Sequence, residues 1–160
     1  MISSFKFTIL SLFALAVLAT ACKVERPKPV GDPPPPPGQQ IEAYLEANAL
    51  KGEQTTSSGL VYIIEEPGGE EKPKVQDEIT IHYKGYITDG TVFDQTNGSP
   101  RTFGLYQLIP AWQEAIPMIG RGGKVKILAP PSTAYGNRPP PGTPITSTSV
   151  LVFDIELVDF

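Results

Sequence analysis

The chain has 160 residues, enough for one domain with a substantial core and too few for two of ordinary size. Lys and Arg number 13 against 17 Asp and Glu, a net charge of −4 with no long basic run, which argues against a nucleic-acid partner. The 18 prolines are unevenly placed, and their placement divides the chain.

Residues 1–21 have the form of an export signal, with Lys6 near the start, an apolar run from Phe7 to Leu18 and the small-residue end Ala19-Thr20-Ala21. The run is too short for an ordinary membrane span. Cys22, the only cysteine, follows directly and has no partner for an internal disulfide. Leu18-Ala19-Thr20-Ala21-Cys22 resembles the lipobox of bacterial lipoproteins, although the usual leucine position holds Ala19. That resemblance implies an acylated Cys22 and a lipid-anchored protein in the bacterial cell envelope, on the periplasmic or surface side; stable attachment takes more than one acyl chain. Ordinary cleavage after Ala21, leaving a free thiol, is the alternative.

Residues 22–40 read as a tether. Pro27, Pro29 and the run Pro33 to Pro37 favour extended polyproline II rather than helix or sheet, roughly 40 Å from Pro27 to Gln40 at full extension. A spacer holding the folded part off a membrane fits this stretch, and so does a ligand for a proline-recognising partner. Residues 41–58 read as a helix and linker: Ile41, Tyr44 and Leu45 share one side, and Gly52 is a natural stop. This helix either packs on the domain or mediates self-association.

From Gly59 the hydrophobic period changes to two. Leu60 to Ile64 reads as a strand ended by Pro67-Gly68-Gly69. In the next, Ile79, Ile81 and Tyr83 face one way and Thr80, His82 and Lys84 the other. His82, the only histidine, has no second imidazole or carboxylate cluster beside it, so its role is structural or solvated and no metal site is expected. Asp89-Gly90 is a hairpin turn, from which Thr91 to Asp94 returns. Thr102 to Leu105 is a brief extended piece. Pro110 then opens a short helix that Pro117 limits to about two turns, with Ile109, Trp112, Ile116 and Ile119 at helical spacing. By spacing alone Trp112 is a core residue or the floor of an apolar pocket. Gly123 to Ala129 alternates again, and in the last strand Leu151, Phe153, Ile155 and Leu157 share a face opposite Val152, Asp154 and Glu156.

Ile81-His82-Tyr83-Lys84-Gly85-Tyr86-Ile87-Thr88-Asp89-Gly90-Thr91-Val92-Phe93-Asp94, then Leu108-Ile109-Pro110-Ala111-Trp112, Ala134-Tyr135-Gly136 and Leu151 to Leu157, resemble in order the motifs of the FKBP-type peptidyl-prolyl isomerases. The resemblance covers residues 59–160. It implies an α+β fold: a twisted antiparallel sheet of about five strands wrapped around one short helix, here preceded by the N-terminal helix. It also implies a catalytic set of Tyr83, Phe93, Asp94, Ile109, Trp112, Tyr135 and Phe153, with Phe103, Leu108 and Ile145 as further substrate contacts. The implied chemistry is non-covalent and needs no cofactor or metal: a proline ring on Trp112, substrate carbonyls held by the Ile109 N–H and the Tyr135 hydroxyl, and Asp94 either orienting Tyr135 or complementing the twisted carbonyl carbon.

The implied partners are Xaa–Pro segments of exported proteins, macrolide-type ligands, and a membrane through the lipid on Cys22. A tethered module that binds proline peptides or unfolded chains without turnover is the competing function. Departures from the family pattern are Ala111 in place of glycine, expected to add a methyl at the pocket rim, and Gln95 after Asp94. The loop 137–146 is also unusually rich in proline, with Ile145 its one evident apolar contact.

Overall fold

A computed structural model of the protein describes residues 33–160; the export-signal segment, Cys22 and the tether up to residue 32 lie outside the described residues. The described chain runs α1 (Pro37–Ala47), β1 (Gln54–Thr55), β2 (Val61–Glu66), β3 (Glu78–Ile87), β4 (Val92–Gln95), β5 (Arg101–Gly104), α2 (Pro110–Ala115), β6 (Lys124–Ala129) and β7 (Leu151–Asp159). All strand pairings are antiparallel, in the order β1-β2-β6-β7-β3-β4, with β5 also on β3.

The seven strands fill the expected places with two short additions. β4 and β5 occupy successive stretches of one edge of β3, separated by the loop 96–100, and the two-residue β1 adds to the outer edge of β2.

Period-two patterning sorts side chains to the two faces. On β3, Ile79 and Ile81 are fully buried and Tyr83 nearly so. The register Tyr83↔Ile155 and Gly85↔Phe153 puts the apolar face of β7 beside them. α2 lies across this face and buries Ala111, Trp112 and Ala115. Pro110 sits at its start, where the missing N–H removes no bond. Pro117 has no N–H to offer Gln113, so after about two turns the helix gives way to a 3₁₀ turn, Ile116–Met118.

The opposite face carries a second core. Ile41, Tyr44 and Leu45 of α1 pack on Val61, Tyr86, Leu128, Val150 and Val152, and the Tyr44 and Tyr86 hydroxyls are 3.0 Å apart. Of the two roles open for this helix, the structure shows packing on the domain. α1 does not reach the far end of β7, where Asp154 and Glu156 lie partly exposed among lysines; Lys126 pairs with Asp154, and Lys124 with Glu66 at 2.8 Å.

The helix begins inside the proline run and ends before Gly52, so both of its limits differ from those expected. Pro37 occupies its first turn, the helical position proline tolerates. At the other end Asn48 Nδ2 donates to the Tyr44 carbonyl, Ala49 turns left-handed at φ 50°, and the Leu50 N–H reaches back to Leu45. Among the described residues no helix is long and apolar enough to cross a membrane.

Candidate active site

A cavity of about 280 Å³ opens between α2, the concave face of the sheet and the loop before β7. Trp112 reaches it from α2, with Leu108 and Ile109 at the mouth of that helix. Tyr83 comes from β3, Phe93 and Asp94 from β4, Phe103 from β5 and Phe153 from β7; Tyr135 and Ile145 come from the loop. Motifs spread over some seventy residues of sequence thus line one space.

Five rings form a continuous arc of edge-to-face contacts. Phe103 meets Tyr83 at 6.2 Å between centroids, Tyr83 meets Trp112 at 5.1 Å, Trp112 meets Phe153 at 5.2 Å and Phe153 meets Phe93 at 5.6 Å. Interplanar angles of 65–87° set ring edges against ring faces, the arrangement the aromatic quadrupole favours by about 0.5–1.5 kcal/mol per pair. Buried at the floor, the Trp112 Nε1–H has no hydrogen-bond acceptor among the described residues.

The polar side of the cavity is a three-residue network. The Tyr83 hydroxyl donates to Asp94 Oδ2 at 2.5 Å, and Arg101 Nη1 donates to the Tyr83 oxygen at 3.0 Å and lies 3.4 Å from Asp94 Oδ1. Burial, then the hydrogen bond to Asp94 and its charge, push the Tyr83 phenol up to about 12, with Arg101 pulling the other way. The Arg101–Asp94 ion pair is half exposed, so its own contribution is at most about 1 kcal/mol.

Asp94 makes no bond to Tyr135, one of the two roles the sequence left open for it. It is occupied by Tyr83, Arg101 and the Gln95 backbone N–H at 2.9 Å. Gln95 contributes through its backbone, and its side chain turns to Asn97.

The Tyr135 hydroxyl makes no hydrogen bond among the described residues, and burial followed by the nearby Asp94 charge raises its pKa. A 3₁₀ turn, Pro131–Thr133, and a left-handed Gly136 whose N–H returns to the Pro131 carbonyl set its position. Ile109 caps α2 in extended conformation; its carbonyl accepts from the Trp112 N–H, while its own N–H makes no bond among the described residues. Gln113 holds the approach to this cap by donating to the Leu108 and Tyr106 carbonyls, at 2.7 and 3.2 Å.

Two expectations change. Ala111 is fully buried in the core and does not line the cavity: with Trp112 turned to the cavity, its neighbour one residue back on α2 faces the packed interior. Ile145 is not the only apolar contact from the covering loop, because Pro140 lines the wall and Thr143 stands beside it. Arg101 carried no signal in the sequence: its place on Tyr83 appears only once β5 is registered against β3, with Arg101 opposite Ile81. His82 lies on the other face, 3.4 Å from the Thr96 hydroxyl. No cluster of three or more potential metal ligands occurs among the described residues.

Residues 69–158 match the family model of the FKBP-type peptidyl-prolyl cis-trans isomerases. The chain belongs to this family. Among its relatives, FkpA of Escherichia coli K12, called an FKBP-type peptidyl-prolyl cis-trans isomerase, is 47% identical over 111 residues, covering 68% of this chain and 40% of that protein. FkpA of Aeromonas hydrophila is 44% identical over 120 residues, covering 73% and 44%. The match therefore spans less than half the length of these relatives.

Solved structures share the fold. The crystal structure of E. coli FkpA aligns with a TM-score of 0.68 at 42% identity, over 76% of this chain and 57% of that one. A peptidyl-prolyl cis-trans isomerase of Pseudomonas syringae aligns at 0.65 and 26% identity, over 80% of this chain and 98% of that one.

Proposed function

We propose that this FKBP domain catalyses cis–trans rotation about Xaa–Pro bonds of exported polypeptides, non-covalently, in the Trp112 cavity. The observation that carries the reading is an aromatic cavity with a backbone donor at its rim, the Ile109 N–H, that is engaged by nothing else among the described residues. The volume lies near the lower end for ligand pockets, about 300 Å³ upward, which suits one ring of a peptide and its flanking backbone.

Rotation about the bond is slow because amide resonance imposes a barrier of about 18–20 kcal/mol. A proline ring on the Trp112 indole, between Tyr83, Phe93 and Phe153, takes the reacting amide out of water. The planar, charge-separated amide loses more solvation there than the twisted one, which stabilises the transition state relative to the ground state. Every ~1.4 kcal/mol of that difference is a factor of ten in rate. The Ile109 N–H and the Tyr135 hydroxyl hold substrate carbonyls and so fix the bond about which the rest turns. With Asp94 committed to Tyr83, its carboxylate complements the electron-poor carbon of the twisted carbonyl rather than orienting Tyr135.

The leader-like residues 1–21 and the position of Cys22 support export and a lipid anchor in the cell envelope, with macrolide-type compounds as competitors for the cavity. Mass spectrometry of the mature N-terminus checks the anchor: an acylated Cys22 is expected, and a free thiol refutes it. For the activity, the assay is refolding of a protein limited by proline isomerisation. A saturable acceleration, reversed by a macrolide-type competitor, is expected. Binding without acceleration leaves only a proline-peptide module.

A further inference from the structure

Gln40 ties the N-terminal helix to the loop that covers the cavity. Its Nε2 donates to the Pro35 carbonyl at 2.7 Å and to the Thr148 carbonyl at 2.9 Å, and its Oε1 accepts from the Val150 N–H at 3.4 Å. These partners fix the orientation of the amide, since carbonyls only accept and an N–H only donates. Holding the carbonyl of one residue and the N–H of the next but one, the side chain does what the N–H and C=O of a single residue in a neighbouring parallel strand would do.

The segment it holds is bonded within itself. Thr146 to Ser149 form a turn closed on itself: the Thr146 N–H donates to Ser149 Oγ at 2.9 Å, the two hydroxyls are 2.8 Å apart, and the Ser149 N–H returns to the Thr146 carbonyl. Among the described residues, the hydrogen bonds that join this turn and Val150 to another element come from Gln40. Ile145, directly before the turn, is 7% exposed and lines the cavity. The other limb of the loop is held separately, by Thr143 Oγ1 on the Pro140 carbonyl at 2.8 Å and the Arg138 N–H on that of Tyr135.

We infer that Gln40 is a positioning residue for the cavity: through Thr148 and Val150 it holds the turn that presents Ile145 to the residue flanking the substrate proline, and so sets affinity and Xaa preference. The inference rests on the isomerase reading for its kinetic consequences, and on hydrogen bonds alone for its structural ones. Helix docking as such is separable, because it rests on the apolar contacts of Ile41, Tyr44 and Leu45, to which the Gln40 amide does not contribute.

The test compares Gln40→Ala with Tyr44→Phe in the full chain. The second variant loses the Tyr44–Tyr86 hydrogen bond on the same helix without touching the loop. Steady-state kinetics on a panel of Xaa–Pro peptides is read beside amide hydrogen exchange at Val150. Gln40→Ala is expected to raise KM about three- to tenfold, to alter the ranking of Xaa residues, to leave kcat within about twofold, and to release the Val150 amide; Tyr44→Phe is expected to do none of these. An unchanged KM and Xaa ranking in Gln40→Ala, or the same KM change in Tyr44→Phe, overturns the proposal. Should the wild type show no turnover, the isomerase reading fails by itself. The same variants are then read by peptide Kd at the Trp112 cavity, where a Gln40→Ala value equal to wild type overturns the positioning role.

Discussion

A single methyl group placed on Gly85 tests how the cavity is built. Gly85 lies in β3, opposite Asp94 on β4 and Phe153 on β7. A Cβ there would stand 2.8 Å from Cε2 and Cζ of Phe93 and 2.9 Å from Cε1 of Phe153, so both rings must give by roughly 0.6–1.2 Å to regain ordinary carbon contact. They cannot do so independently, because they meet edge to face at 5.6 Å and Phe153 abuts Trp112 at 5.2 Å.

Overpacking of this kind costs about 1–3 kcal/mol, and each kcal/mol lowers the melting temperature of a domain of this size by roughly 3–6 °C. Both rings line the cavity, so Gly85→Ala is expected to weaken proline-peptide binding as well, about fivefold for each kcal/mol by which the shifted rings hold the peptide less well. Urea unfolding and KM measure the two effects. Gly38→Ala is the control: nothing lies within 4 Å of its Cβ, and α1 carries it in its first turn. Its stability is expected to hold or rise by up to about 1 kcal/mol. A Gly85→Ala protein with wild-type urea midpoint and wild-type KM would refute the packing of Phe93 and Phe153 over β3.

Alkaline unfolding reads the raised Tyr83 phenol, held up first by burial and then by its bond to Asp94. Below about pH 10 both folded and unfolded chains hold the phenol proton; from there to about 12 the unfolded chain releases it first, so stability falls as pH rises, by about 2–3 kcal/mol in all from this group. Tyr83→Phe removes that part of the decline while the buried Tyr86, also raised by burial, keeps its own; equal slopes in the two proteins would disprove it. Trp112 is the only tryptophan, so saturable change in its emission with an Xaa–Pro peptide is expected, and a flat titration at concentrations that saturate peptide binding would remove it from the floor of the site. Ala49 holds a left-handed φ of 50°, so Ala49→Gly is expected to raise stability by about 0.5–1 kcal/mol, whereas a lower urea midpoint would contradict the helix ending described for α1.

The strands were legible because β3 and β7 alternate cleanly, and the sheet buries one face of each against α2. The cavity was legible as a set of motifs: nothing local to Trp112 distinguishes a core helix stripe from a pocket floor. What period and motif could not supply is register and loop path. Arg101 reaches Tyr83 only through the pairing of β5 with β3, and which prolines of the 137–146 loop face inward depends on the turns that fold it. The limits of α1 were hidden for a different reason: five consecutive prolines read as polyproline II, yet the last of them is a favourable first residue for a helix that packs on Val150 and Val152. Ala111 adds its methyl to the packed interior and not to the rim, because successive residues on a helix face about 100° apart and Trp112 takes the cavity side.

The central claim is turnover of an Xaa–Pro bond in the Trp112 cavity, and the most direct measurement is magnetisation exchange between the cis and trans proline resonances of a short peptide in the presence of a catalytic amount of protein. Spontaneous interconversion takes tens to hundreds of seconds, so in buffer the two sets of signals do not exchange within a second. Exchange peaks that grow with protein concentration and vanish with a competing macrolide-type ligand are the predicted result. Peptide resonances that shift or broaden on binding, with no exchange between cis and trans, would contradict it.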